Sequence, residues 1–433
     1  MERPQERYKM SRYNVFCDKG DVKYVWNTYS NALLKLDKNH QEYITAFSGI
    51  DDKSNAFNLL KSQGFIVSNN LNEFGRICLE ERMAMFSENS RYISFVILPG
   101  MGCNYSCYYC HQDQIYRSEV MTSSIAIEVA EYICDQLQKN HNIRKFSIGW
   151  FGGEPLLYLN TIELISKRVI EYAQQNDIQY SARIMTNGRL IDAETIRKLQ
   201  DFRIEWVHVS VDGMRDLYCG SKGASAEDFD SVIDNICYAV DNAADKMKVT
   251  VRLNIPNNDL ENAIEITDFL LTQRGLQGKI IIYFSFIRDF YSSPDKERQA
   301  YINFTDDFYK WVTYVSDHYG KSEIKRTIPG RKETYCGLLQ MNKIGIGPRG
   351  ELYKCGHLFG MKAPVIGDIW SGMYFNDVKM YSTVDTYIET GCPDCEYLPI
   401  CMGQCHYHRV IKYEGFDCEA YKKMQFKLKL MEV

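Results

Sequence analysis

The chain has 433 residues, of which 45% are hydrophobic and 25% charged, with a formal net charge of −5. That size allows two or three domains with a large core, and the mild acidity offers no basic field for nucleic acid. No apolar stretch approaches the roughly 20 residues needed to span a bilayer, and the charged start Met1–Arg7 precedes no apolar run of a secretory signal.

Fifteen cysteines stand out. Disulfides belong to oxidising compartments, so without export these thiols point to metal or cluster binding in a reducing cytoplasm.

Residues 1–88 read as a small α+β module. Strand-like runs at 13–16 and 24–27 flank the turn Asp18-Lys19-Gly20-Asp21, and helical patterns follow at 32–37 and 55–63. Gly64 fits a helix stop, and 65–67 is a further short strand. The module either covers the main domain or recognises a peptide leader through an exposed strand edge.

From residue 92 the pattern alternates. Strand-like runs at 92–98, 145–151, 180–185, 205–211, 248–255 and 279–286 are followed by helical patterns at 123–137, 161–174, 193–200, 228–242, 260–271 and 306–319. Six β-then-α units predict a parallel sheet with right-handed crossovers and helices outside. Six units are too few for the closed eight-stranded form, so 89–326 is expected to be an open, partial (β/α)6 barrel of the α/β class.

The chemistry-bearing segments directly follow these strands. They are Cys103–Cys110 after the first, Gly152-Gly153-Glu154-Pro155 after the second, Thr186-Asn187-Gly188 after the third and Ser210-Val211-Asp212-Gly213 at the fourth. Arg252 and Asn254 lie near the end of the fifth. Strand ends of a parallel barrel share one rim, so distant segments converge there. Cys103, Cys107 and Cys110, spaced Cys-x3-Cys-x2-Cys, suit one face of an iron–sulfur cube with the fourth iron open. They also suit zinc, with His111 adjacent, or simple burial as small hydrophobes.

From about residue 327 the alternation stops. A hairpin of 341–347 and 351–354 around Pro348-Arg349-Gly350 lies between Cys336 and Cys355. Cys392, Cys395, Cys401 and Cys405 fall within fourteen residues, and Cys418 follows. So little apolar content suggests a segment stapled by metal.

Taken together, the Cys-x3-Cys-x2-Cys loop, Gly-Gly-Glu-Pro and the seven-cysteine tail resemble the radical S-adenosylmethionine (SAM) enzymes with a C-terminal SPASM domain, over roughly 90–425. The resemblance implies a 4Fe–4S cluster on Cys103, Cys107 and Cys110 that binds SAM, reductive cleavage of SAM, and removal of a hydrogen atom from the substrate. It implies SAM contacts from Tyr109 (adenine), Gly152, Gly153 and Glu154 (methionine amino group), Ser210 and Asp212 (ribose) and Arg252 (carboxylate). The alternatives are a tight turn with Pro155 opening a helix for Gly-Gly-Glu-Pro, a strand end and turn for Ser210 and Asp212, an internal ion pair for Arg252 and a packed ring for Tyr109.

For 327–433 the resemblance implies two auxiliary 4Fe–4S clusters, one on Cys392, Cys395, Cys401 and Cys418, the other on Cys336, Cys355 and Cys405. Gly330 stands where relatives that fully ligate this second site carry a further cysteine, which leaves an iron open to a substrate thiolate, water or an outside side chain. Four thiolates would also suit zinc. Gly356 and His357 follow Cys355 where sulfatase-maturing relatives have an acidic base, and the region of Lys222 replaces a common arginine. Candidates for a catalytic role are Cys219 and His357, while Cys134 and Cys237 fit a helical core.

The expected function is that of a peptide maturase installing a crosslink, first of all a thioether from a cysteine sulfur to carbon. The expected partners are a ribosomally synthesised precursor peptide and a flavodoxin- or ferredoxin-type electron donor. The alternatives are a carbon–carbon or carbon–oxygen crosslink, epimerisation, sulfatase-type maturation, or a non-catalytic, zinc-stapled peptide-binding scaffold.

Overall fold

The computed structural model describes residues 7–36, 54–86, 90–110, 112, 118–243, 247–255, 259–287, 294–324, 329–359, 365–374, 391–405 and 417–433. His111 and the side chain of His357 lie outside the described residues. The chain forms two compact units, Met1–Ser87 with Ile328–Gln340 and Val384–Val433, and Glu88–Thr327 with Met341–Thr383. The residues read from sequence as one tail, 327–433, are thus divided between them.

The first unit begins with β1 (Tyr8–Met10), β2 (Asn14–Lys19), β3 (Val22–Asn27), β4 (Leu33–Leu36), α1 (Asn55–Ser62), β5 (Ile66–Ser68) and α2 (Glu73–Phe86). β2, β3 and β4 form an antiparallel sheet, and β1 pairs with β5. The helix expected at 32–37 is corrected to strand β4, in which Leu34 and Leu36 stand opposite Val25 and Lys23. Four residues gain more from extending a sheet than from nucleating an isolated helical turn. α2 gave no periodic signal because its buried stripe is Glu73, Ile77, Glu81 and Met85, half of it acidic. Glu73 is satisfied there by the Ser11 hydroxyl and the Arg12 N–H.

The second unit carries β6 (Tyr92–Ile97), α3 (Ser123–Lys139), β7 (Lys145–Trp150), α4 (Leu159–Gln175), β8 (Gln179–Thr186), α5 (Ala193–Asp201), β9 (Ile204–Val211), α6 (Arg215–Lys222), α7 (Ala226–Asp241), β10 (Lys248–Ile255), α8 (Leu260–Asp268), β11 (Ile280–Phe286) and α9 (Pro294–His318). Then come β12 (Lys343–Ile346), β13 (Glu351–Tyr353), β14 (Gly367–Asp368) and β15 (Gly372–Met373). The sheet order is β11-β10-β9-β8-β7-β6-β12-β13-β14-β15, parallel from β11 to β12. This is the open partial barrel expected from sequence. The hairpin after residue 340 continues its sheet, with Lys343 opposite Ser94 and Ile346 opposite Ile97.

Strand alternation divides the sheet into two faces. Ile148, Ile184, Val209, Val251 and Ile282 are fully buried on one face. Arg183, Met185, Ser210, Arg252 and Tyr283 alternate with them on the inner face and retain exposure.

The remainder of the first unit includes α10 (Leu398–Cys401) and α11 (Cys418–Lys429). Leu398 and Met402 pack with Tyr13 and Ile77, and Tyr397 and Ile400 pack with Val15 and Trp26. The apolar side chains of the cysteine-rich segment thus complete cores begun by the N-terminal module.

Candidate active site

The loop after β6 is fixed through its backbone. Gly100 O accepts from Gly153 N at 3.2 Å, and Gly102 O accepts from Glu154 N at 2.8 Å. On its other side, Ser106 N and Tyr108 N donate to the last carbonyls of α6, Lys222 O at 3.0 Å and Ser221 O at 3.2 Å. Asn187 Nδ2, just past β8, donates to Asn104 Oδ1 at 2.7 Å. The glycine pair has a steric cause: a Cβ on Gly152 would lie 2.4 Å from Gly100 O, and one on Gly153 would lie 2.1 Å from Gly102 O. Only glycines permit this backbone-on-backbone docking.

Cys103, Cys107 and Cys110 are carried on that loop, each half-buried. Burial pushes the Cys107 thiol up to about 11, drawn back by Lys222 and pushed further by Asp212, Cys110 and Cys103. Burial also raises Cys103, with Glu154 and Cys110 adding to it. Thiols held this close resist ionising together unless a metal group compensates their charge. Among the described residues, no three His, Cys, Asp or Glu side chains converge as ligands of a single ion. A cube gives each of three thiolates on one loop its own iron. The donor set fits the cube.

Beside the loop, Glu154 is buried and caps the short turn Pro155–Tyr158. Its Oε1 accepts from Leu156 N at 3.0 Å and the Thr186 hydroxyl at 2.7 Å, and its Oε2 accepts from Asn187 N at 2.7 Å. A carboxylate has about four acceptor positions, so one on Oε2 is left for a further donor. Burial raises the Glu154 pKa although these donors pull it down.

Asp212, also buried, accepts from the Tyr109 hydroxyl at 2.6 Å, the Ser221 hydroxyl at 2.8 Å and, more weakly, Asn254 Nδ2 at 3.4 Å. Lys222 Nζ lies 3.4 Å from Asp212 Oδ1 and donates to the Ser210 hydroxyl at 2.9 Å. The Tyr109 phenol, buried beside Asp212 and Cys107, is held neutral far above the usual range. Ser210, Asp212 and Tyr109 are therefore brought together, with Lys222 as the cation among them. Lys222 at the end of a short polar segment before Gly223, which adopts φ +61°, was the signal for α6.

Residues 97–270 match the model of the radical SAM superfamily. The chain carries a radical SAM domain. Radical SAM cyclopropyl synthase TigE of Paramaledivibacter caminithermalis is 30% identical over 190 residues, 40% of this chain and 39% of its own length. The chain thus spans about two fifths of that relative. Among solved structures, native anSMEcpe with bound AdoMet and Kp18Cys peptide superposes with a TM-score of 0.62 at 16% identity, covering 79% of this chain and 98% of that one. Streptococcus suis SuiB bound to precursor peptide SuiA gives 0.54 at 16% identity, covering 95% and 99%. At such identities these likenesses concern the fold.

In the radical SAM domain, Arg252 donates from Nη2 to the Ser285 hydroxyl at 2.8 Å and rests Nη1 against Met185 Sδ at 3.9 Å, with its Nε buried and unpartnered. Cys219 lies on α6, where burial and then Asp216 raise its pKa. A nucleophilic thiol needs the opposite setting.

In the first unit, the Cys401 thiol is raised to about 11 by burial, and both Cys392 and Cys418 add to it. Cys395 is raised by burial and feels Cys392. Cys401 is thus within electrostatic reach of Cys392 and Cys418, and Cys395 of Cys392. Gln404 Nε2 donates to Cys401 Sγ at 3.1 Å, and the Lys332 ammonium also favours its thiolate. Cys336 and Cys405 belong to this unit as well, Cys355 to the other.

Proposed function

We propose that the protein is a radical SAM peptide maturase that installs a crosslink. The carrying observation is the three-thiol loop docked on the strand ends beside a buried carboxylate with one acceptor position left. Cys103, Cys107 and Cys110 hold the catalytic 4Fe–4S cluster. When bound, that cluster and SAM supply reductive cleavage and hydrogen-atom removal from a C–H bond. Glu154 Oε2 takes the SAM amino group as a charge-assisted acceptor, and Gly152 and Gly153 bring the backbone close. Tyr109, fixed by Asp212, presents its ring to the adenine. Ser210 and Asp212 face the ribose, with Lys222 holding their orientation, and Arg252 takes the SAM carboxylate.

Cys392, Cys395, Cys401 and Cys418 hold one auxiliary cluster, and Cys336, Cys355 and Cys405 the other. The preference for a thioether rests on sequence: Gly330 replaces a further cysteine, which leaves room for a substrate thiolate. The N-terminal module receives the leader peptide. Leu79, Met83 and Phe86, exposed at helical spacing along α2, suit an amphipathic segment. A flavodoxin- or ferredoxin-type protein supplies the electron.

The test is mass spectrometry of a precursor peptide co-expressed with the enzyme. Loss of two hydrogens with one fewer free thiol supports the thioether, and an unchanged thiol count excludes it. The second reading, carbon–carbon bond formation, is favoured by the likeness to a cyclopropyl synthase. It predicts the same mass loss with all thiols retained, whereas epimerisation leaves the mass unchanged.

A further inference from the structure

The inner face of the barrel holds a cation that the reading above does not use. Arg183 on β8 is exposed there, and among the described residues no carboxylate pairs with it. Two local features shape its surroundings. Opposite it on β7 stands Gly149, where a Cβ would lie only 3.2 Å from Arg183 Nε, so the missing side chain lets the arginine lie across the strand.

On its other side β9 is irregular. Ala182 pairs with Ile204 but Arg183 with Trp206, so Glu205 is an extra residue. The bulge sets the register so that Trp206, which shares its face with His208 and Ser210, stands opposite Arg183. Trp206 stacks on His208 at 6.2 Å, Lys248 Nζ lies 5.3 Å from the Trp206 ring, and His208 meets Tyr283 edge-on. Burial raises the Tyr283 pKa, and the charges of Arg252 and Arg183 oppose that rise. Arg252 stands opposite Tyr283 in the sheet register, and its hydrogen-bond partners among the described residues, Met185 Sδ and the Ser285 hydroxyl, are neutral.

We propose that Arg183 is the substrate-recognition residue of this face and binds a carboxylate, supplied by an acidic side chain or by the C-terminus of the peptide. A guanidinium fork beside aromatic rings matches a planar carboxylate, and the neighbouring cations raise the local preference for an anion. The assignment rests on the reading that substrate enters along the inner face. Arg252 remains with SAM.

The test is arginine footprinting of the full-length, reconstituted protein with SAM bound, using phenylglyoxal and peptide mapping. Three small probes are compared: N-acetyl-glutamyl amide, N-acetylglycine and N-acetyl-glutaminyl amide. Arg183 is protected by the first if it reads a side chain and by the second if it reads a C-terminus; the third gives no protection. Gly149→Ala, which displaces Arg183, raises the half-protecting concentration about tenfold, as for one charge-assisted hydrogen bond lost. Equal protection by all three probes, or none by any, overturns the proposal.

Discussion

The molecule holds its cysteines in two different ways. The rim loop at Gly100–Cys110 is tied by backbone bonds to residues further along the sequence: Glu119, Gly153, Glu154, Ser221 and Lys222. Among the described residues, the backbone of Cys392–Cys405 pairs mostly with itself, as in Cys395 N to Cys392 O and Cys401 N to Tyr397 O, while Lys332 N, the Thr28 hydroxyl and the Tyr421 hydroxyl reach Pro399 O, Glu396 O and Ile400 O from outside. What anchors it is apolar: Tyr397, Leu398, Ile400 and Met402 in the cores of the N-terminal module. One set of thiols is positioned by sheet topology and the other by hydrophobic burial. Damage to each should therefore have a different signature.

The largest effect belongs to the rim. Cys107→Ala should abolish 5′-deoxyadenosine formation from SAM and dithionite in the anaerobic, reconstituted protein while leaving the melting profile close to wild type, because the loop's backbone bonds do not involve the thiol. Residual product at the wild-type rate would remove the catalytic assignment. A collapse in stability would show instead that this loop, like the tail, depends on its metal.

The complementary experiment acts on the other region without touching a cysteine. Trp26 is fully buried against Tyr397 and Ile400. Trp26→Ala should destabilise the first unit by about 3–5 kcal/mol through the cavity it leaves. Hydrogen exchange should then show lost protection in residues 8–36 and 391–405, with strands β6 to β11 still protected, and iron bound by the tail should fall. Uniform loss of protection across both units would contradict the separation drawn here.

The same contrast explains what could be read in advance. The six barrel strands were legible because each carries alternating or consecutive apolar residues between helical patterns, and the rim cysteines because their spacing is local. The helix proposed at 32–37 failed because pairing with β3 overrode local pattern. The anchoring of the tail was hidden because its apolar residues are few and their partners, Tyr13, Val15 and Trp26, lie more than 360 positions earlier. The cofactor-shell network was equally non-local: Tyr109 meets Asp212 across 103 positions and Asn254 across 145.

Within the rim, Glu154 gives a smaller, pH-dependent effect. Its folded pKa lies above the ordinary 4.5, so the carboxyl takes up its proton at a pH where a free glutamate is still ionised. For stability, this contribution is present below 4.5 and lost as pH rises through the folded pKa. For a cationic ligand the sign reverses: affinity is full above the folded pKa and falls as pH drops through it. SAM binding measured against pH should show that decline, and Glu154→Gln should remove it at a cost of about 1.5–3 kcal/mol, roughly ten- to a hundredfold in Kd. An unchanged decline in the variant would assign the titration to another group.

The smallest effect compares the two regions directly, through donors to sulfur. Gln404 Nε2 reaches Cys401 Sγ at 3.1 Å, whereas Asn187 Nδ2 stands 3.8 Å from Cys103 Sγ. A donor to a ligating sulfur favours the more negative, reduced state of a cluster, so its removal makes the potential more negative. One hydrogen bond of about 0.5–1.5 kcal/mol bounds the one-electron shift at roughly 60 mV. Gln404→Leu should approach that bound and Asn187→Leu should fall well below it, both read by redox titration with electron paramagnetic resonance. A larger shift at Asn187 would mean that the loop closes on its cluster more tightly than its backbone bonds require. No shift at Gln404 would mean that Cys401 carries no redox-active iron, and the tail would then be a structural staple alone.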